Sequence, residues 1–331
     1  MKSRLKKSVS RLSKLTILAA GFTATAPAAL MAQSTGFDMS GWAKVDSIPK
    51  TEATVVKIEI KESGPERIDQ AGKLAMLTQR IPASACNAAA GIGGDVAKGF
   101  LAASIGEFDR IISALEFGDV YISIKKPETD RSVLRRIDEM NSVWGPVRED
   151  VLPIADLKSA TTTIEEVATS AEMAPELLDI TEALIGDLIG EYADPSLLLA
   201  TDAVGLDIVG RQRMMPQIIS KATCMIAEGL DTETARAELD ASIGLFELSL
   251  GALLNGMPEA GLRAAPTDEL KADFAGVIDF WQGVKPTIET LKSDGTLPTE
   301  QREYVYGELN TLTAMLNEVA RKYAMASTQS L

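Results

Sequence analysis

Residues 68–118 read IDQAGKLAMLTQRIPASACNAAAGIGGDVAKGFLAASIGEFDRIISALEFG, and residues 206–256 read LDIVGRQRMMPQIISKATCMIAEGLDTETARAELDASIGLFELSLGALLNG. The two stretches align at a constant offset of 138 without a gap. Asp69/Asp207, Gly72/Gly210, Met76/Met214, Gln79/Gln217, Cys86/Cys224, Phe108/Phe246 and Gly118/Gly256 are identical pairs, and Ala103-Ser104-Ile105-Gly106 recurs as Ala241-Ser242-Ile243-Gly244. Eighteen of 51 positions match, against roughly one in fifteen for unrelated chains of ordinary composition. A duplication of this length predicts two equivalent units related by a pseudo-twofold, with any site built where equivalent segments meet.

Outward from this stretch, helix signals dominate. Ser63-Gly64-Pro65-Glu66 reads as a capping box with proline in the first turn, opening a helix over about 64–91. Asp194-Pro195 opens its counterpart over about 195–228. Second helices follow near 96–117 and 232–255, closed by Gly118 and Gly256. Turns containing Pro127 and Pro266 lead to third helices carrying Trp144 and Trp281, and fourth helices run near 174–192 and 300–324. The expected fold is all-α: two tandem antiparallel four-helix bundles related by internal duplication, over 64–193 and 194–331. Val56, Ile58 and Ile60 alternate with polar residues as a strand would, with Val120, Ile122 and Ile124 as a pairing partner.

Residues 1–32 have the form of a cleaved secretory signal, followed by an N-terminal arm over 33–63. Lys2, Arg4, Lys6, Lys7, Arg11 and Lys14 precede an Ala-rich apolar run, with Ala32 at the expected cut. Cleavage takes the formal net charge from −14 to −20, so nucleic acid and anionic lipid are not expected partners. The mature product is expected to be periplasmic, without direct membrane insertion. The chain has no histidine. That excludes Ser-His-Asp and Cys-His catalysis and imidazole metal ligation, and no enzymatic activity, cofactor or metal is expected. Met76, Met214, Met215 and Met225 read as core methionines rather than as a soft-metal site.

On the predicted first helix of the second repeat, Gly210, Arg213, Gln217 and Cys224 share one stripe; the first repeat offers Gly72, Ala75, Gln79 and Cys86. A packed bundle core would have Leu, Ile or Val there. Glycine costs about 1 kcal/mol relative to alanine inside a helix, which points to close approach of another backbone. Residues 70–94 and 208–227 contain no Asp or Glu, so side by side the two helices would form a cationic strip. Lys73, Arg80, Arg211 and Lys221 read as solvated charges, with Arg211 also a candidate contact. Arg213 is the functional candidate, since its planar fork suits small oxyanions.

These segments, Ala71-Gly72-Lys73-Leu74-Ala75-Met76-Leu77-Thr78-Gln79-Arg80 and Val209-Gly210-Arg211-Gln212-Arg213-Met214-Met215-Pro216-Gln217, resemble the AGRQRMLSQR signature of the PilJ/NarX-like sensor domain. The resemblance implies a periplasmic antiparallel four-helix bundle. In nitrate sensors of that kind, the first helices of two protomers meet and hold the anion between symmetry-related arginines. Arg213 occupies the arginine position and Ala75 replaces it in the first repeat, leaving one arginine where the family has two. Losing one charge-assisted partner costs about 1.5–3 kcal/mol. Pro82 and Pro216 interrupt the motif helices at non-equivalent positions, where each is expected to kink its helix.

Cys86 and Cys224 are equivalent residues of an exported chain. Parallel packing of the motif helices would bring them together as a disulfide; two buried thiols are the other reading. The expected function is an exported solute-sensing module for a small solute, with an oxyanion such as nitrate or nitrite as the specific candidate. Its ligand-binding residues would be Arg213, Gln217, Gln79, Gly72, Gly210 and Arg211. No apolar span or kinase region follows the last helix in the sequence, so readout is expected through a membrane receptor or kinase. The competing reading is a structural or adaptor bundle of the envelope without a small ligand.

Overall fold

Apolar residues at three- and four-residue spacing place one face of each segment in a core, and the computed structural model turns every such run into a helix. The structure describes residues 64–156, 164–192 and 200–329. The signal segment, the arm with its Val56, Ile58 and Ile60 alternation, and the Asp194-Pro195 helix start lie outside the described residues. The first bundle is α1 (Gly64–Ala89), α2 (Gly94–Phe117), α3 (Arg131–Ala155) and α4 (Ile164–Tyr192). Each packs on its neighbour in sequence, and α1 closes the ring against α4. The second is α5 (Ala200–Gln212), α6 (Met215–Glu228), α7 (Thr232–Asn255), α8 (Asp268–Asp294) and α9 (Thr299–Gln329). There α5 and α6 share the place that α1 fills alone.

Local chemistry sets the boundaries. Asp130 caps α3 by accepting from the N–H groups of Ser132 and Val133, and Thr267 caps α8 by accepting from Leu270. Gly118 and Gly256 end α2 and α7 at φ 85° and 83°. A Cβ on Gly118 would come within 3.1 Å of Lys126 backbone, and one on Gly256 within 2.9 Å of the Ala264 nitrogen. Both positions therefore need glycine for conformation and for room.

The duplication runs past the gapless stretch. Trp144 Nε1 donates to Asp109 at 2.8 Å, and Trp281 Nε1 donates to Glu247 at the same distance. Arg148 and Lys285 bind the same two carboxylates. The rings pack on Phe108 at a tilt and on Phe246 edge to face, with centroids 4.2 and 5.3 Å away. In register terms Trp281 lies 137 residues after Trp144, so one residue has been lost between the second and third helices.

One cluster belongs to the first repeat alone. Arg67 and Glu128 form an ion pair of 3.1 Å with side chains only 2% and 0% exposed. Arg67 also donates to the carbonyls of Leu115 and Lys126. Glu128 accepts from the backbone of Thr129 and Asp130 and from the Tyr192 hydroxyl. Burial, then the bond to Glu128, pushes the Tyr192 phenol far above its ordinary pKa. In the second repeat Gly205 stands at the Arg67 position, and the Tyr323 ring fills the space above it, its hydroxyl 2.1 Å from where a Cβ would lie.

Two expectations fail, the strand pairing and the single helix over 195–228. Val120–Ile122 is a 3₁₀ turn carrying only an isolated bridge between Asp119 and Ile124. Val120 and Tyr121 face solvent, so no apolar sheet face exists to be buried; Pro258–Ala260 repeats the motif. The α1 helix continues through Pro82. The helix expected over 195–228 is divided, because Pro216 cannot donate to the Gln212 carbonyl and the chain turns through Arg213 and Met214.

Candidate functional site: the seam between the motif helices

The α1 and α6 segments run side by side and parallel, since their contacts advance together. Arg213 lies against Gly72, Lys221 reaches Gln79, and Cys86 is joined to Cys224 in a disulfide with Cα atoms 6.1 Å apart. The equivalent cysteines thus meet at one height, as a pseudo-twofold requires, and the other two contacts are shifted by about one helical turn. The second-repeat residues Cys224 and Tyr306 pack into the first core, and Ala75 packs against the second.

Arg213 owes its position to the helix break. Its N–H and that of Met214 turn back to Gly210 and Arg211 in tight i→i−3 bonds, and its side chain crosses to α1. There Nη1 lies 3.3 Å from Asp69 Oδ1, and Nε donates to the Gly210 carbonyl. A Cβ on Gly72 would lie 3.0 Å from Arg213 Nη2, and one on Gly210 would lie 3.9 Å away. Gly72 makes room for a guanidinium rather than for another backbone, which corrects the sequence reading, whereas a Cβ on Gly210 would sit in ordinary contact. Asp69 also pairs with Lys73 at 3.4 Å and is half exposed. The single guanidinium is therefore held by a carboxylate of the protein's own first repeat.

Further along, polarity persists where packing would favour aliphatics. Gln79 Oε1 accepts from Lys221 Nζ at 2.8 Å, and Lys221 also pairs with Glu238 at 2.7 Å. Gln217 is fully buried and donates to Thr313 Oγ1 at 2.7 Å. Gln212 Oε1, Gln217 Oε1 and Ser220 Oγ are buried with no hydrogen-bond partner. A buried polar atom left unpaired costs about 1–3 kcal/mol, and these three fall on the nine residues from Gln212 to Ser220 that include the helix break.

Arg213, Gly72, Gly210, Gln79 and Gln217 thus all lie along the seam. Arg211 does not. It is exposed and bound to Asp207 and to Glu182 on α4, at 3.1 and 2.6 Å. Lys221, expected at the surface, is 3% exposed. Its position was legible: it follows Gln217 by four residues and precedes Cys224 by three, so it shares their stripe. Asp69 was missed as Arg213's partner although it is one of the repeated identities. The contacts from Tyr306 and Thr313 had no signal in the sequence, because they come from α9. Among the described residues no three His, Cys, Asp or Glu side chains gather as a metal site would need, and no helix is long and apolar enough to cross a membrane.

The fold and seam define a class: duplicated four-helix bundles that pair their first helices. Residues 59–171 and 199–305 each match the type IV pili methyl-accepting chemotaxis transducer N-terminal domain family. Together the matches span more than half of the sequence, one in each repeat, and the chain belongs to that family as two tandem copies. No curated protein matches it in sequence. The family is the sensory domain of chemotaxis transducers, which signal to partner kinases.

Proposed function

We propose that this chain is an exported, periplasmic sensory module in which two repeats, meeting near residue 193, bind a small solute at the α1–α6 seam. A membrane receptor or kinase reads the occupied state. The observation that carries this reading is the Arg213 guanidinium held across the seam by Asp69, on a segment where Gln212, Gln217 and Ser220 each leave a buried polar atom unpaired. Such atoms are costly when unpaired, and they offer a ligand two amide oxygens that accept and one hydroxyl that can donate.

A small oxyanion such as nitrate or nitrite fits the Arg213 fork, which can take two of its oxygens. It would replace the Asp69 carboxylate, with Gly72 leaving space beside the guanidinium. Gln217 spends its amide N–H groups on Thr313 and Asn310 and Gln79 holds Lys221, so both would shape the seam rather than donate to the anion. Arg211 drops out of the contact set. Because Asp69 bridges the repeats through Arg213, exchanging it for a free anion would loosen one tie between them, a change that a signalling partner could read.

A thermal-shift titration with nitrate, nitrite and chloride tests this. One oxyanion is expected to raise the melting temperature, by about 2.7 kcal/mol of stabilisation at a hundred times its dissociation constant, and Arg213→Ala is expected to abolish the shift. Absence of a shift with every anion would remove the oxyanion reading. The adaptor reading would then gain, supported by one feature: Phe117, Val120 and Tyr121 expose 64%, 66% and 89% of their surface at one corner of the first bundle.

A further inference from the structure

A cleft opens about two turns along α1 from Gly72, roughly 12 Å by helix rise. Its volume is about 770 Å³, and it is lined by Arg80, Gly93 and Phe100 of the first repeat and by Tyr306, Asn310 and Thr311 of the second. It is thus walled by both repeats.

Arg80 is the unusual group. Its guanidinium carbon lies 4.8 Å from the Phe100 ring centroid, and its Nε is buried without a partner. Every other buried or half-buried arginine among the described residues has an acceptor. Arg67, Arg136, Arg148, Arg213 and Arg302 have carboxylates, and Arg236 has the Lys292 carbonyl. Burial pushes the Arg80 guanidinium below the usual arginine range, with Tyr306 and Glu107 opposing it. Desolvating a cation without pairing it is unfavourable. Stacking on Phe100 satisfies one face of the planar group but none of its N–H donors, which lie in the plane and are aimed past the ring edge.

We propose that this cleft binds a small monocarboxylate with an apolar body, the carboxylate paired with Arg80 and the body resting on Phe100 and Tyr306. The inference does not depend on the Arg213 reading. Guanidinium and carboxylate match in a two-bond fork, and the Asn310 and Thr311 side chains stand along the same wall. Glu303, exposed at the rim, opposes a second negative charge, which favours monocarboxylates over dicarboxylates. Its charge also distinguishes two sources of the ligand, since an amino acid would gain from it where a free organic acid would not. A ligand seated here touches both repeats, so its binding is coupled to how they pack.

Calorimetric titration of the full chain with benzoate, L-phenylalanine and succinate tests the proposal. Benzoate or phenylalanine is expected to bind, and the stronger of the two identifies the source. Succinate is expected to bind more weakly than either. Arg80→Gln is expected to weaken binding about tenfold or more, the loss of one charge-assisted pair. Thr311→Trp, an exposed substitution that fills the cleft without touching Arg80, is expected to block it, while Arg213→Ala leaves it intact. No binding of benzoate or phenylalanine at millimolar concentration would overturn the proposal, as would binding that survives both Arg80→Gln and Thr311→Trp. A nitrate response that persists in Arg80→Gln would keep the seam proposal standing whatever the outcome at the cleft.

Discussion

Replacing both Cys86 and Cys224 with alanine is expected to lower the unfolding free energy by about 2–5 kcal/mol. The bridge spans 138 residues of sequence, and the chain-entropy estimate for a loop of that length is about 5 kcal/mol. Both cysteines are buried in the seam, so reduction also releases the disulfide that fastens the two motif helices to each other. In urea the midpoint should fall, and the melting temperature should drop by about 5–20 °C. The same fall should appear when the unaltered protein is unfolded with a reductant present. Equal midpoints with and without reductant would show that the bridge carries no stability.

Arg67→Ala is expected to cost about 3–5 kcal/mol, the usual result of leaving one member of a buried ion pair unpaired. Glu128 would keep the bonds from Tyr192 and from two backbone N–H groups but lose its cationic partner among the described residues. The carbonyls of Leu115 and Lys126 would lose their arginine donors as well. The second repeat shows that the fold itself does not need the pair. There Gly205 replaces Arg67, and Ala265, whose N–H binds the Leu253 carbonyl as that of Glu128 binds Glu116, closes the turn. An Arg67→Met, Glu128→Leu double variant should therefore recover much of the loss in urea unfolding. A single Arg67→Ala variant as stable as the parent would contradict this account of the cluster.

The fold was largely legible because helical periodicity and the internal repeat agree. A face spaced three and four residues apart has one way to be buried, and Gly118 and Gly256 mark the same stop twice. The helix break was only half legible. Pro82 and Pro216 are the same residue type, yet α1 continues and the second motif helix divides. Proline chemistry disfavours both, and tertiary packing decides which yields. The turn at Val120–Ile122 misled because alternation over a few residues does not identify a strand without a partner to pair with. At the seam, the stripe of Gly72, Gln79, Gly210, Arg213 and Gln217 could be read from spacing alone. The partners of those residues could not, since Asp69 answers Arg213 across the repeats and Thr313 comes from the last helix. Arg80 was read as a solvated charge, because nothing in one dimension shows that Phe100 and α9 enclose it.

The central claim is that Arg213 at the seam is an anion fork currently held by Asp69. Calorimetric titration of nitrate and nitrite into the parent chain and into Asp69→Asn tests it most directly. The account predicts that one of these anions binds and that removing the competing carboxylate tightens binding about twofold to fivefold, the range of a half-exposed ion pair. Binding that is unchanged or weaker in Asp69→Asn, or absent from both proteins, would contradict it.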